Sequence, residues 1–215
     1  MLYYIGQAAK CLQMQFSEVI MDIVFDIGKV LIDFDFEDFV RGIVSEDCAD
    51  IVTKAMWGNP NWIELDRGVW SVEEVLQKFI AEAPDHEWEI RHVFSQIGKI
   101  PHPKDTTIPM IEELKRRGHR VFFLSNYFEF LIHAAPDALR FTRYMDGGIF
   151  SCNEKVVKLD AEIYSRLCER YGISKDNCVF IDDSPKNIKG ANDFGIRGIL
   201  YTGQTPQQLF EEIGV

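Results

Sequence analysis

Polar residues close three of the short apolar runs in this chain, and their types could do chemistry. Asp26 ends the first run, where a carboxylate could ligate magnesium or act as a nucleophile towards phosphorus. Asp182 and Asp183 end another run; adjacent acids repel each other, so a cation shared with Asp26 would account for their position. Ser125 and Asn126 end a third run, where a hydroxyl and a backbone N–H could hold a phosphoryl oxygen.

Two further residues, Gly28 and Lys158, fit the same chemistry. Gly28 would let the backbone turn sharply or approach a ligand closely. Lys158, like Lys155, could neutralise an anionic site that is crowded with aspartates. Each candidate alone also has an ordinary explanation, since an aspartate can form a turn, a serine can cap a helix and a lysine can face solvent. The order of the candidates along the chain, at or beside apolar runs, favours a functional site.

The elements that must position these residues alternate along the chain. Apolar runs predict strands near 22–26, 120–125, 147–151, 178–183 and 198–201. Helical patterns and capping residues predict helices over 106–117, from Asp160 to Gly172, over 184–194 and after Thr205. This alternation favours an α/β fold with a parallel sheet, in which ligands bind outside the carboxyl ends of the strands. The three polar strand ends should therefore face one crevice.

A different pattern occupies residues 36–100. Apolar residues recur there at helical spacing, and Ser71 with Glu74 forms the signature of a capping box. We therefore expect an all-helical insertion, the cap, over 36–100, and an α/β core over 21–35 and 101–215.

Composition limits the partners and the compartment. The 215 residues carry a formal net charge of −11, which argues against nucleic acid or an anionic membrane surface as the main partner, because both need a basic footprint. Five scattered cysteines without a C-x-x-C pair favour reduced thiols and a cytoplasmic protein over a disulfide framework or a zinc site. Residues 1–20 lack the features of a signal peptide and are expected to be an N-terminal extension, and no run approaches the ~20 apolar residues of a membrane span.

Four stretches together resemble the motifs of the haloacid dehalogenase (HAD) superfamily of hydrolases, in the family's order and across most of the chain. VFDIGKVLID resembles the first motif and FLSN the second, with Asp26 matching the nucleophilic aspartate and Ser125 the motif serine. Lys158 in KVVKLDAEIY matches the lysine of the third motif. FIDDSPKNIKGANDFGI resembles the fourth motif, with Asp182 and Asp183 matching its metal-binding acids.

The resemblance implies a Rossmann-like core with a small helical cap, and a magnesium-dependent phosphomonoester hydrolase that forms an aspartyl-phosphate. The subgroup that looks most similar has Asp-x-Gly in its first motif and contains phosphatases of sugar phosphates such as glucose-1-phosphate, so a small phosphorylated metabolite, a sugar phosphate, is the expected substrate. The implied catalytic residues are Asp26, Ser125 and Lys158; the substrate-binding residues are Gly28, Lys29, Ser125, Asn126 and Lys158; the Mg²⁺ ligands are Asp26, the Gly28 carbonyl, Asp182 and Asp183. The cap candidates for sugar contacts are Trp57, Trp62, Glu64, Asp66, Arg67 and Trp70.

Departures from the family pattern bear on the proton donor. Most HAD phosphatases place a second aspartate two positions after the nucleophile as general acid and base, and this chain has Gly28 there. The subgroup shares this glycine, so the donor is left unassigned. Asp33 and Asp35 are nearby acids, with nothing in the sequence that places either at the leaving group. Lys29 stands where the family usually has Gly or Asn and would add a positive charge at the mouth of the site.

Three alternatives stay open from the sequence. A haloacid dehalogenase attacks carbon without a metal, and the adjacent acids Asp182 and Asp183 argue against it. A non-catalytic HAD-like binding protein is favoured by Lys155 and Leu159, which replace the familiar Gly and Pro around the third motif, and by Gly28 and Lys29 in the first motif. A phosphotransferase such as a sugar phosphomutase usually needs the second aspartate, so the same glycine counts against it.

Overall fold

A parallel five-stranded sheet forms the centre of the protein, as predicted. The computed structural model describes residues 20–215, so the predicted N-terminal extension lies outside the described residues except at its last position. The strands of this sheet are β1 (Asp22–Phe25), β4 (Arg120–Ser125), β5 (Gly147–Phe150), β6 (Cys178–Asp182) and β7 (Arg197–Leu200). Two short strands, β2 (Ile32–Asp33) and β3 (His102–Pro103), form a separate pair. The order across the main sheet is β5-β4-β1-β6-β7, and its neighbouring strands are all parallel.

The register brings the carboxyl ends of the three central strands to one edge. β1 lies between β4 and β6, and Phe25 pairs with Phe123 on one side and Ile181 on the other. The backbone N–H of Asp26 donates to the carbonyl of Ile181 over 2.8 Å, so Asp26 follows the strand directly. The ends of β4 and β6 therefore fall beside Asp26.

Alternate residues of these strands pack on opposite faces of the sheet. Ile23 and Phe25 belong to the cluster that also contains the buried side chains of the helical segment, whereas Val24 packs with Phe122 and Phe180 on the other face. All five side chains are buried. Burial on both faces explains why the strands read as continuous apolar runs and why a carboxylate that closes such a run is conspicuous.

Residues 36–100 are helical, as predicted. The α-helices of this segment are α1 (Phe36–Ile43), α2 (Glu46–Met56), α3 (Trp62–Arg67), α4 (Val72–Glu82) and α5 (Glu87–Ser95), with 3₁₀ turns at Pro84–His86 and Ile97–Lys99. Ser71 and Glu74 form the predicted capping box of α4. β2 and β3 pair antiparallel at the two ends of the segment, so the chain enters and leaves the cap side by side.

Further helices follow the cap along the chain. They are α6 (Thr107–Arg116), α7 (Glu129–Ala134), α8 (Ser151–Glu154), α9 (Ala161–Tyr171), α10 (Pro185–Phe194) and α11 (Pro206–Ile213), with 3₁₀ turns at Pro136–Tyr144 and Lys175–Asn177. Ser151 begins α8 instead of ending the preceding strand. Asp160 stands at the N-cap of α9, but its carboxylate accepts a hydrogen bond from Arg67 at 3.1 Å instead of capping the helix. Within residues 20–215, no helix has the length and apolarity to cross a membrane.

Candidate active site

Lys158 lies at the centre of the candidate site. Its Nζ is 2.6 Å from Oδ1 of Asp26 and 2.7 Å from Oδ2 of Asp182, and all three side chains are buried. Burial alone would lower the pKa of Lys158, but the charges of the two carboxylates outweigh it and raise this pKa. The lysine therefore stays protonated and joins the ends of β1 and β6.

Asp182 is held by the helix that follows it. Its Oδ1 accepts hydrogen bonds from the backbone N–H of Ser184 at 2.8 Å and from Nδ2 of Asn187 at 3.0 Å, and its Oδ2 accepts a second one from Asn187 at 3.0 Å. Sequence reasoning missed Asn187, which also lines the cavity of the site. Its signal was available, because an amide in the first turn of a helix can reach back to a carboxylate just before that helix.

Asn126 positions Lys158 through a hydrogen bond that the sequence did not predict. Its side-chain oxygen accepts a hydrogen bond from the backbone N–H of Lys158 at 2.7 Å. Ser125 is buried at the end of β4 and lines the same cavity as Asp26. The end of the third central strand is thereby connected to the lysine that joins the other two.

Three residues around the site have a left-handed backbone without being glycine. Lys29, Lys155 and Leu159 have φ angles of 61°, 60° and 87°, and they stand at positions where the sequence departs from the HAD pattern. Glycine adopts this conformation freely, whereas another residue incurs roughly 1 kcal/mol or more of strain. Proline cannot adopt it, so the backbone at Leu159 differs from one that carries the familiar Pro. Lys155 also donates to the carbonyl of Gly68 at 2.7 Å, which connects α8 to the cap.

Asp26, Asp182 and Asp183 form a group that could hold a divalent cation. One oxygen of each carboxylate lies within 4.8 Å of the others. Hard cations such as Mg²⁺ prefer oxygen ligands, and Gly28, whose carbonyl is the predicted fourth ligand, lies at the same cavity. Burial raises the pKa of Asp26 to about 6 against the opposing charge of Lys158, and burial also raises the pKa of Asp183. A cation would favour the ionised form of both, so the donor set fits such an ion.

A cavity of about 250 Å³ opens beside these residues. Its volume suits a small molecule and not a macromolecule. Asp182 does not line it and lies fully buried beyond Lys158. The other predicted site residues all line the cavity: Asp26, Gly28, Lys29, Ser125, Asn126, Lys158 and Asp183.

One wall of the cavity is apolar. It is formed by Phe34, Trp57, Trp62, Phe128 and Leu131. The rings of Trp57 and Trp62 pack edge to face with centroids 4.9 Å apart, and Trp62 meets Phe128 in the same way at 6.0 Å. Trp62 is 8% exposed and packs in the apolar core, whereas Trp57 is 39% exposed and is the more accessible of the two indoles that line the cavity.

Asp66 brings a carboxyl group of the cap into the same cavity. Its backbone carbonyl accepts a hydrogen bond from Oγ of Ser151 at 2.6 Å. The Ser151 hydroxyl in turn accepts a hydrogen bond from the backbone N–H of Tyr127 at 3.0 Å. Burial raises the pKa of Asp66 to about 7, with Asp26 adding to the shift and Lys158 opposing it. A carboxyl group that keeps its proton close to neutral pH therefore faces the cavity.

The other cap residues that were predicted to contact a sugar are not among the residues that line the cavity within the described part of the chain. Glu64 and Arg67 approach each other to 3.4 Å, and Arg67 also pairs with Asp160 at 3.1 Å. Trp70 packs against the apolar core of the protein. The structure thus brings Trp57, Trp62 and Asp66 to the predicted site, and Glu64, Arg67 and Trp70 to neighbouring positions.

Comparisons connect the chain to known hydrolases. The family model of the haloacid dehalogenase-like hydrolases matches residues 14–195. The chain is 25% identical to flavin mononucleotide hydrolase 1 of Arabidopsis thaliana over 65% of this chain and 56% of that protein. It is 26% identical to (S)-2-haloacid dehalogenase 4A of Burkholderia cepacia over 54% and 50%, so it spans about half the length of these two relatives. A sesquiterpene phosphatase of Aspergillus oryzae is 26% identical over 83% of this chain and 88% of that protein.

Solved structures share the fold. A predicted HAD-like family hydrolase from Porphyromonas gingivalis superposes with a TM-score of 0.69 at 21% identity, over 91% of this chain and 98% of that one. A HAD family enzyme from Bacteroides thetaiotaomicron, solved with magnesium and inorganic phosphate, superposes with a TM-score of 0.64 at 19% identity, over 89% and 99%.

Asp66 should lower the stability of the protein when it is ionised. Its carboxyl loses its proton near pH 4 in the unfolded chain but only near pH 7 in the folded protein, so stability falls as pH rises between these values. Asn resembles the protonated acid, so Asp66→Asn should be more stable than the wild type above pH 7, by at most about 4 kcal/mol. Urea unfolding in metal-free buffer at pH 5 and pH 8 measures this difference.

Glu64→Gln is the matched control, since Glu64 lies on the same helix and is paired with Arg67. Its effect on the free energy of unfolding should not grow between pH 5 and pH 8. An Asp66→Asn variant whose advantage fails to increase over this interval would contradict the raised pKa.

Proposed function

Since the chain belongs to the haloacid dehalogenase-like hydrolase family, we propose that it is a magnesium-dependent phosphomonoester hydrolase that works through an aspartyl-phosphate on Asp26. One observation carries this proposal. Oxygens of Asp26, Asp182 and Asp183 lie within 4.8 Å of one another, and the buried ammonium of Lys158 contacts two of them. This arrangement supplies a nucleophile, a cation site and a fixed positive charge at the floor of one cavity.

The reaction proceeds in two displacements at phosphorus. A carboxylate oxygen of Asp26 attacks phosphorus in line, and the bond from phosphorus to the ester oxygen breaks. Water then attacks the phosphorus of the aspartyl-phosphate, which releases phosphate and restores Asp26. Lys158 stays charged and offsets the negative charge on Asp26 and on the phosphoryl oxygens. Ser125 orients a phosphoryl oxygen from the end of β4, and Lys29 adds positive charge at the mouth.

The charge balance of the site supports a metal requirement. Three carboxylates stand against two ammonium groups at the described site: Asp26, Asp182 and Asp183 against Lys29 and Lys158, while burial keeps the proton on Asp66 close to neutral pH. A phosphate dianion adds to this excess of negative charge. Mg²⁺ bound by Asp26, Asp182, Asp183 and the Gly28 carbonyl would offset the repulsion between carboxylate and phosphate. The magnesium and phosphate in the structure from Bacteroides thetaiotaomicron support this assignment.

The organic group of the substrate should present an apolar face. A sugar phosphate is the expectation from the sequence, but the cap residues at the cavity are mainly aromatic, with Trp57 the most open of them. The names of two relatives specify flavin mononucleotide and a sesquiterpene, both with large apolar parts. We therefore propose a small phosphomonoester with an aromatic or isoprenoid group ahead of a sugar phosphate.

A haloacid dehalogenase is the second candidate. It is favoured by the identity of 26% to the enzyme from Burkholderia cepacia over 54% of this chain. Attack on carbon needs no metal, however, and the second acid, Asp183, lies at the cavity beside Asp26. A site for metal-free chemistry would have no need for that additional charge.

The nucleophile assignment predicts that Asp26→Asn lowers the turnover of p-nitrophenyl phosphate in magnesium by at least about 10³-fold, because an amide does not form the phosphoenzyme. The exposed Asp33, which lies 3.7 Å from Lys104, is the control, and Asp33→Asn should keep its activity. Release of p-nitrophenolate gives the rate. Equal turnover by Asp26→Asn and the wild type would contradict the assignment.

The metal assignment predicts that EDTA abolishes phosphatase activity and that added Mg²⁺ restores it, since the excess of carboxylates repels phosphate without a cation. Calcium in place of magnesium is a useful comparison, because it binds oxygen ligands with longer and less regular geometry. Halide release from a 2-haloacid is measured in the same samples. Halide release that persists in EDTA, together with no phosphate release in the samples that contain Mg²⁺, would identify the dehalogenase instead.

The apolar wall predicts that Trp57→Ala raises KM for flavin mononucleotide and for an isoprenoid monophosphate by about tenfold, as expected for roughly 1.4 kcal/mol of lost contact. KM for glucose-1-phosphate should change less. Trp88→Ala is the control, because Trp88 is exposed and stacks on His92 in α5, away from the described cavity lining. A preference of the wild type for sugar phosphates would contradict this substrate class.

A further inference from the structure

A phosphomonoester hydrolase of this kind must protonate its leaving group, and the first-motif loop has no acid placed to do so. Gly28 carries no side chain at the position where the family pattern has an aspartate. Asp33 is exposed and lies 3.7 Å from Lys104. Asp35 accepts a hydrogen bond from the backbone N–H of Asp38 at 3.0 Å and so caps α1. Neither acid belongs to the described lining of the cavity.

Asp66 is the acid that the cap places in the cavity. It is 7% exposed, so its carboxyl group is removed from bulk water. Two contacts to the core fix its position on α3: Oγ of Ser151 donates to its backbone carbonyl at 2.6 Å, and the next residue, Arg67, donates to Asp160 at 3.1 Å. The contact from Ser151 uses the carbonyl of Asp66 and leaves its carboxyl group to face the cavity.

The geometry of an in-line displacement also places the leaving group on the side of the cavity that the cap forms, where Asp66 lies. In an in-line displacement, the leaving oxygen departs from phosphorus on the side opposite the nucleophile. Asp26 attacks from the strand ends of the core, so the leaving group departs towards the cap. The hydroxyl of Tyr127 is buried at this cavity and has no hydrogen-bond partner within residues 20–215. A buried hydroxyl without a protein partner is free to bond to a polar group of a ligand or to a water molecule in this part of the cavity.

We propose that Asp66 is the proton donor to the leaving-group oxygen. This role rests on the proposed function. As the bond from Asp26 to phosphorus forms, the bond from phosphorus to the ester oxygen breaks and leaves its electron pair on that oxygen. The proton of the Asp66 carboxyl group moves to the same oxygen, and a neutral alcohol leaves. In the second displacement the attacking water gives a proton to the Asp66 carboxylate, which restores both acids.

A comparison of two leaving groups in a single turnover tests this role. p-Nitrophenolate departs as an anion and needs no proton, whereas the benzyl alkoxide of benzyl phosphate does. Asp66→Asn should slow the release of benzyl alcohol by about 10²- to 10⁴-fold and the release of p-nitrophenolate far less. A single turnover isolates the first displacement from the hydrolysis of the phosphoenzyme. A thermal melt of the variant confirms that it is folded.

Glu64→Gln is the matched control on the same helix, and it should change both rates by the same small factor. An equal loss with both substrates in Asp66→Asn would overturn the role as proton donor, because a structural defect does not distinguish leaving groups. Undiminished release of benzyl alcohol would overturn it as well. A wild type inactive on both substrates, or an Asp26→Asn variant as active as the wild type, would instead overturn the proposed function and this role with it.

Discussion

The buried ammonium of Lys158 is the interaction on which the site depends. Asp26 and Asp182 end adjacent strands of one sheet, and two carboxylates in such a position repel each other strongly when water is excluded. Contacts of 2.6 and 2.7 Å to the lysine offset that repulsion. Removal of the lysine would leave two uncompensated buried acids, which is costly in a way that removal of the whole set is not. The lysine therefore stabilises the strand ends as well as the phosphate that they are proposed to bind.

Several residues around the site adopt conformations or environments that lower the stability of the folded protein. The left-handed backbone at Lys29, Lys155 and Leu159 is strained, and Asp66 is buried with no ammonium group of residues 20–215 in direct contact with its carboxyl group. Strained backbone and desolvated acids typically concentrate at functional sites, where the rest of the fold supplies the stability that they lack. The fully buried central strands provide that surplus here, because β1 packs on both faces and pairs on both edges.

The parts of this molecule that could be predicted from the sequence are local or follow from sheet geometry. Buried strands gave continuous apolar runs, and parallel pairing brings their carboxyl ends to one edge, so the meeting of Asp26, Ser125 and Asp182 could be anticipated. The helical cap and the capping box at Ser71 could also be predicted, because helical spacing and capping residues are local patterns. Contacts between distant segments could not be predicted. Asn126 reaches Lys158 across 32 residues, and no spacing rule connects them.

The cap contacts belong to this second class. Ser151 and the carbonyl of Asp66 are 85 residues apart in the chain, and Asp66 could be predicted only as one of six possible sugar contacts. Its position in the cavity depends on how the cap packs on the core, which the amphipathic pattern of a six-residue helix does not determine. Glu64 and Arg67, on the same helix, point elsewhere and pair with each other.

The short β2–β3 pair at the base of the cap has a consequence for timing. Both connections to the cap run through this one pair of strands, while α3 and the residue after it are tied to the core by side-chain hydrogen bonds from Ser151, Arg67 and Lys155. Rotation about the pair would break those ties together and carry Asp66 away from phosphorus. On the proposed assignment, the same movement that admits a substrate withdraws the acid. Only a closed molecule could then expel a poor leaving group, and an ester that binds without closing the cap would stay intact.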